Sequence, residues 1–249
     1  LDGRTNTWGA YQCYGDPSFA LQAAPSRPRK PAPVSARQLI EMLDVLTAKA
    51  GDVPDLDALR HTHGDVVDLD DRHVPRFRTL QVLEALGHAY GALGCYADAV
   101  WAYREALDID RPSGRISSYA LEQLSNMEAY LAYTKALGLT ADLPVRHESS
   151  DEPDELFDAV VGRLDRLIAA GDTHERRVLL GSLCKKQAVV EPSRKRRDAL
   201  LAWSIEHYRA AFALALNGEH QADPYSGLLW AQLAHVADGL AVEYPTTNQ

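Results

Sequence analysis

Residues 83–107 read Leu83-Glu-Ala-Leu-Gly-His-Ala-Tyr-Gly-Ala-Leu-Gly-Cys-Tyr-Ala-Asp-Ala-Val-Trp-Ala-Tyr-Arg-Glu-Ala-Leu107. Their apolar and small positions, among them Leu83, Leu86, Leu93, Tyr96, Ala106 and Leu107, fall into two helical runs that meet at Gly94. Gly87 and Ala99 are small where two helices must approach closely. Tyr90 and Tyr103 are bulky where gaps between helices need filling. Gly94 allows the sharp turn between the runs, and Pro112 stands just past the end of the second. Such a helix–turn–helix hairpin cannot bury its apolar faces alone and requires stacked neighbours.

At ~34 residues of helix–turn–helix, the pattern resembles a tetratricopeptide repeat. A degenerate second copy lies further along the chain. Leu180-Gly181 matches Leu86-Gly87, with Cys184 in the place of Tyr90; Ser204, Tyr208 and Ala211 match Ala99, Tyr103 and Ala106. An insertion around 189–197 separates its two halves. A helix near 116–136 could open a further repeat, but Leu124-Ser125 stands where the leucine–glycine pair would be.

Outward from these units the pattern stays helical. Ser35 with Gln38 has the form of a capping box, followed by Leu39, Ile40, Leu43 and Leu46 at helical spacing, with Gly51 as the stop. A short helix is expected over 54–61. A long one is expected to start near Pro75, with the stripe Phe77, Leu80, Leu83, Leu86 and Tyr90, and to pair with 97–108. Further helices are expected over 154–170, 175–189, 197–216 and 224–242. Trp203, Tyr208, Phe212 and Trp230 read as core aromatics. The expected fold class is all-α: antiparallel helical hairpins stacked as a tetratricopeptide-repeat-like array over 34–249, with one residual strand at the N-terminus.

That strand is expected within 8–14, where Trp8, Ala10, Gln12 and Tyr14 alternate with Gly9, Tyr11 and Cys13 before the turn Gly15-Asp16-Pro17. A lone strand cannot satisfy its own backbone, so residues 1–23 need a sheet from elsewhere. Residues 24–33 hold four prolines and three cations and read as an extended linker. The chain begins at Leu1 and is read as a piece of a longer protein. Thr7-Trp-Gly-Ala-Tyr-Gln-Cys-Tyr-Gly-Asp-Pro17 resembles the closing strand of a CHAT domain, a caspase-like protease fold of bacteria, which is often fused to tetratricopeptide repeats. The resemblance implies a regulatory or targeting module behind a protease. That family's catalytic histidine and cysteine lie upstream of its closing strand, and no residue of this chain matches either.

Composition narrows the function classes. The 249 residues are 46% hydrophobic and 24% charged, the balance of a folded chain. A net charge of −9 argues against nucleic acid as partner. No apolar run is long enough to span a bilayer, the richest being 210–216, and no signal peptide is visible. Cys13, Cys95 and Cys184 are too few and scattered for a disulfide framework or a zinc site, which fits a reducing, cytoplasmic setting. They read as small core or turn residues, not nucleophiles.

The expected function is a non-catalytic module that binds a protein or peptide, or docks on and regulates the upstream protease domain; no cofactor and no metal is expected. The contact surface is expected on first-helix side chains that point away from the core: Gln81, Glu84 and His88 in the clear repeat, Glu175, Ser182 and Lys185 in the degenerate one. The alternative is a metal-dependent hydrolase built on His61, His63 and Asp65, with Asp68, Asp70, Asp71 and His73 nearby. A solvated acidic loop is the plainer reading of that stretch. The basic run Ser193-Arg-Lys-Arg-Arg197 reads as a solvated helix start.

Overall fold

The computed structural model describes residues 32–52, 55–111, 117–217 and 224–239. The expected strand at 8–14 and all but the last two residues of the linker lie outside them. Among the described residues the regular elements are all helices: α1 (Ala36–Gly51), α2 (Leu56–His73), α3 (Leu80–Ala92), α4 (Tyr96–Asp110), α5 (Ser118–Ala136), α6 (Pro153–Ala170), α7 (His174–Val190), α8 (Arg194–Asn217) and α9 (Pro224–Gly239).

Local chemistry sets most of the starts. Ser35, Asp55, Thr79, Ser117 and Thr173 each accept a hydrogen bond from the backbone N–H three residues on, at 2.8 to 3.3 Å. Gln38 turns back to accept from the Val34 N–H at 2.9 Å, one residue before the capping serine. Pro153 opens α6, where its missing N–H costs nothing.

Successive helices pair as hairpins, α1 with α2, α3 with α4, α5 with α6 and α7 with α8, and α9 packs on α8. The first helices of the hairpins, α1, α3, α5 and α7, also pack side by side in series. One continuous core runs from Leu39 and Leu43 through Leu83, Leu86, Tyr90 and Tyr103 to Leu164 and Leu183. The close approach inside the clear hairpin is at Gly87, where a β-carbon would stand 2.8 Å from Tyr103 Cε2. Gly181 repeats it against the Tyr208 ring at 3.0 Å, and Ser204 Oγ donates to the Gly181 carbonyl at 2.6 Å. Gly94 takes φ +74°, and the Cys95 N–H closes the turn on the Tyr90 carbonyl at 2.9 Å.

The structure departs from the sequence reading in four places. The stretch 61–73, read as a loop after a short helix, continues α2 to His73. Thr62, Val66 and Leu69 recur at helical spacing on its buried side, which also holds Asp70, and the rest of its charge lies outside that row, with Arg72 and Asp68 paired at 2.8 Å. The helix expected from Pro75 starts at Leu80, because the Thr79 side chain caps it there; Val74 to Phe77 instead form a turn that buries Val74. The insertion of the degenerate repeat is not a loop. Gly181 and Tyr208 stand 27 positions apart where Gly87 and Tyr103 stand 16 apart, and the extra residues lengthen α7 at its end and α8 at its start. Finally, Trp203 is 52% exposed, whereas Tyr208 is buried and Phe212 faces Trp230 at 6.2 Å between ring centroids.

Candidate functional site

Two clusters of polar side chains occupy the series of first helices. The first surrounds Tyr119 at the start of α5. Its ring is 46% exposed, and Glu84 of α3, Asp44 of α1 and Glu175 of α7 all act on its hydroxyl, so one phenol gathers carboxylates from three neighbouring helices. Burial first, then these charges, push its pKa up. The buried Tyr103 hydroxyl lies beneath, beside Tyr119 and Glu84. Gln81 and His88, one helical turn to either side of Glu84, are exposed.

The second cluster lies farther along α7. Lys186, 7% exposed, donates to Ser182 Oγ at 2.5 Å and sits 3.8 Å over the Tyr130 ring of α5. Tyr130 stacks in turn on Tyr96 at 4.9 Å. Lys185 reaches over the Tyr208 ring at 5.9 Å. Burial, with the neighbouring Lys185 ammonium as a second cause, pulls the pKa of Lys186 down to about 8.

Of the six residues expected at the contact surface, Gln81, Glu84, His88 and Glu175 therefore belong to the Tyr119 end. Ser182 and Lys185 are half-buried, and belong to the phenol-lined end. Asp44, Tyr119, Tyr130 and Lys186 were not singled out from the sequence. Tyr119 and Tyr130 sit on α5, which lacks the leucine–glycine pair that guided the reading. Lys186 is charged, and only its contact with α5 reveals that it is buried.

Ion pairs hold these helices in place. Glu128 of α5 is 1% exposed and is bridged by Arg104 of α4 and Arg163 of α6, each at 2.7 Å. Arg176 of α7 pairs with Glu122 of α5 at 2.7 Å and donates to the Leu167 carbonyl at the end of α6 at 2.8 Å. The long connection between α5 and α6 is tied down by Arg146. Its guanidinium bonds Asp70, Asp71 and the Tyr90 hydroxyl, and its N–H and that of His147 both reach the buried Asp98 carboxylate. The His147 ring stacks on Trp101 at 3.8 Å.

The helical course of α2 leaves His61 and Asp65, four positions apart, on one face and turns His63 away from them. His61 is exposed, while His63, two positions on, is buried against the same connection, with the Pro144 carbonyl as a backbone partner. Burial holds the His63 pKa below its usual value of 6.5. Among the described residues no three His, Cys, Asp or Glu side chains are gathered as ligands for an ion. Cys95 and Cys184 are buried, and burial pushes both thiols up to about 12, so each stays protonated and is no nucleophile at neutral pH. Cys13 lies outside the described residues. Arg194 to Arg197 form the exposed first turn of α8. No helix among the described residues is long and apolar enough to cross a membrane.

A family model described as Tetratricopeptide Repeats-Sensor matches residues 96–234. Comparison with curated proteins and with solved structures gives no match.

Proposed function

The chain belongs to the Tetratricopeptide Repeats-Sensor family, and on that premise we propose that its helical array is a protein-binding module without catalytic activity of its own. The partner segment lies along the first helices, against Gln81, Glu84 and His88 of α3 and Glu175, Ser182 and Lys185 of α7. The observation that carries this reading is the convergence of Asp44, Glu84 and Glu175 on the half-exposed Tyr119. Stacked hairpins present such a shared face to a partner while their cores stay closed. The resemblance of residues 7–17 to a CHAT closing strand supports a second element of the proposal: the array docks on, and regulates, a caspase-like protease domain to which that strand belongs. Coupling requires the partner to bind one docking state better than the other.

Charge reversal tests the face. Glu84, half-buried beside Tyr103, is the test position, and Glu84→Lys is expected to lose the proteins or peptides that the unaltered chain captures while the helical circular-dichroism spectrum is retained. Equal capture by both chains would remove Glu84 from the contact surface and leave the array a spacer.

A further inference from the structure

The phenol-lined end of the α5–α7 face is rich in hydrogen-bond donors, and among the described residues no carboxylate bonds its buried ammonium, that of Lys186. Lys186 is buried, and an ammonium presents three hydrogens. Ser182 Oγ takes one of them, and the Tyr130 ring covers another side. The influences on this amine are burial and the like charge of Lys185; no acidic group is among them. The Tyr208 hydroxyl stands beside Ser182, and Tyr225 of α9 acts on both Tyr130 and Tyr208. Elsewhere in the fold, buried charge is matched. Glu128 has two arginines, Asp98 has two backbone N–H groups, and Asp70 has Arg146 and a tyrosine. A buried ammonium with no anion is costly, and a bound anion relieves that cost.

We propose that Lys186, Ser182 and the hydroxyls of Tyr208 and Tyr225 form a binding site for a single carboxylate. This assignment rests on the reading of the α5–α7 face as the partner-binding surface, and names the chemistry taken at one end of it. One buried ammonium matches one negative charge. A phosphate dianion would call on Lys185 as well, and that amine is turned over the Tyr208 ring. Tyr225 is 54% exposed, so the site has an edge on solvent. The source of the carboxylate is either a free small acid or an Asp or Glu side chain of a bound peptide. With the opposite charge gathered at Tyr119, a peptide lying along α7 meets carboxylates at one end and an ammonium at the other. Glu175 and Lys186 are 11 positions apart, ~16 Å along a helix, or about five residues of extended chain.

Anion binding favours the charged amine, so affinity is greatest below about pH 8 and falls above it. Among the described residues Lys185 acts on Lys186 and the Tyr130 ring faces it, and Tyr130 and Tyr208, whose pKa values are raised, stay neutral through that range. The test is thermal unfolding of the whole chain at pH 7 in sodium acetate against sodium chloride at equal ionic strength, repeated with N-acetylglutamate amide and with an amidated peptide holding one internal Glu. The expected result is a higher melting temperature with the carboxylates, a gain absent in Lys186→Met and reduced in Tyr225→Phe. At least tenfold tighter binding of the peptide than of the capped amino acid assigns the site to a peptide side chain; equal binding assigns it to a free acid. A gain of the same size in Lys186→Met overturns the proposal, as does a response to phosphate alone. Were Lys186→Met to fail to fold, Ser182→Ala and Tyr225→Phe carry the comparison. Because the acetate measurement needs no partner, its failure is distinct from a failure of the Glu84 test.

Discussion

A β-carbon at Gly87 would stand 2.8 to 3.0 Å from three atoms of the Tyr103 ring, a distance real side chains do not keep. The ring is 0% exposed and cannot swing into solvent. Gly87→Leu is therefore expected to cost ~1–3 kcal/mol or more, which lowers the melting temperature by several degrees in a chain of this size. The double variant Gly87→Leu with Tyr103→Ala should be less destabilised than the sum of the single changes, because the cavity and the excess volume cancel. Additive effects in denaturant titrations would show that the two do not meet. The small character of Gly87 and the bulk of Tyr103 were legible in the sequence, and so were their counterparts Gly181 and Tyr208, because the repeat pattern marks each position; that the glycine meets that particular ring comes from the structure. Glu128 and Lys186 were not legible. A charged residue reads as solvent-facing until its partners are known, and here they come from helices far along the chain.

At the scale of the element, α2 shows what charge density hides. Its carboxylates and histidines suggested an acidic loop, yet an Asp55 cap and the buried row Thr62, Val66 and Leu69 make 18 residues of helix. His63 travels with that row into the interior. An unfolded histidine takes up a proton near pH 6.5, whereas the folded chain binds one at His63 or His207 only at lower pH. In that window the unfolded state holds more protons, so stability falls as the pH drops. Replacing His63 with Gln should flatten the decline of the melting temperature below pH 6.5, with His207 accounting for part of what remains. An undiminished slope would place its source elsewhere. The starts of α1, α5 and α7 were read to within two residues, the first from its serine cap, and in the structure a serine or threonine caps each of the three. The start of α3 was misread because Pro75 is as good a first-turn signal as Thr79, and only the packing of Val74 and Phe77 chooses between them.

At the scale of the whole molecule, stability in a stacked array depends on what each hairpin's neighbours cover. The large core joins α1 through α7, whereas α9 meets α8 around a small second cluster of Ile205 and Ala237, with Leu201, Trp230 and Leu233 at its edge. Amide hydrogen exchange should thus be slowest in α3 to α5 and fastest in α9, with α8 intermediate. Uniform protection from α3 to α9 would contradict a neighbour-by-neighbour build-up. The lengthened α7–α8 hairpin obeys a rule of angular phase. Each residue of an α-helix turns the chain by about 100°, so adding four residues over-rotates the rest of the helix by about 40° and adding seven under-rotates it by about 20°. α7 runs to Val190, nine positions past Gly181, where α3 ends five past Gly87; α8 begins 14 positions before Tyr208, where α4 begins seven before Tyr103. The two increments are thus four and seven, both near whole turns, and Tyr208 still faces Gly181. Hairpins of this array can vary in height by such steps without re-aiming a single core contact, whereas a step of two or five would turn the aromatic ring to the opposite side.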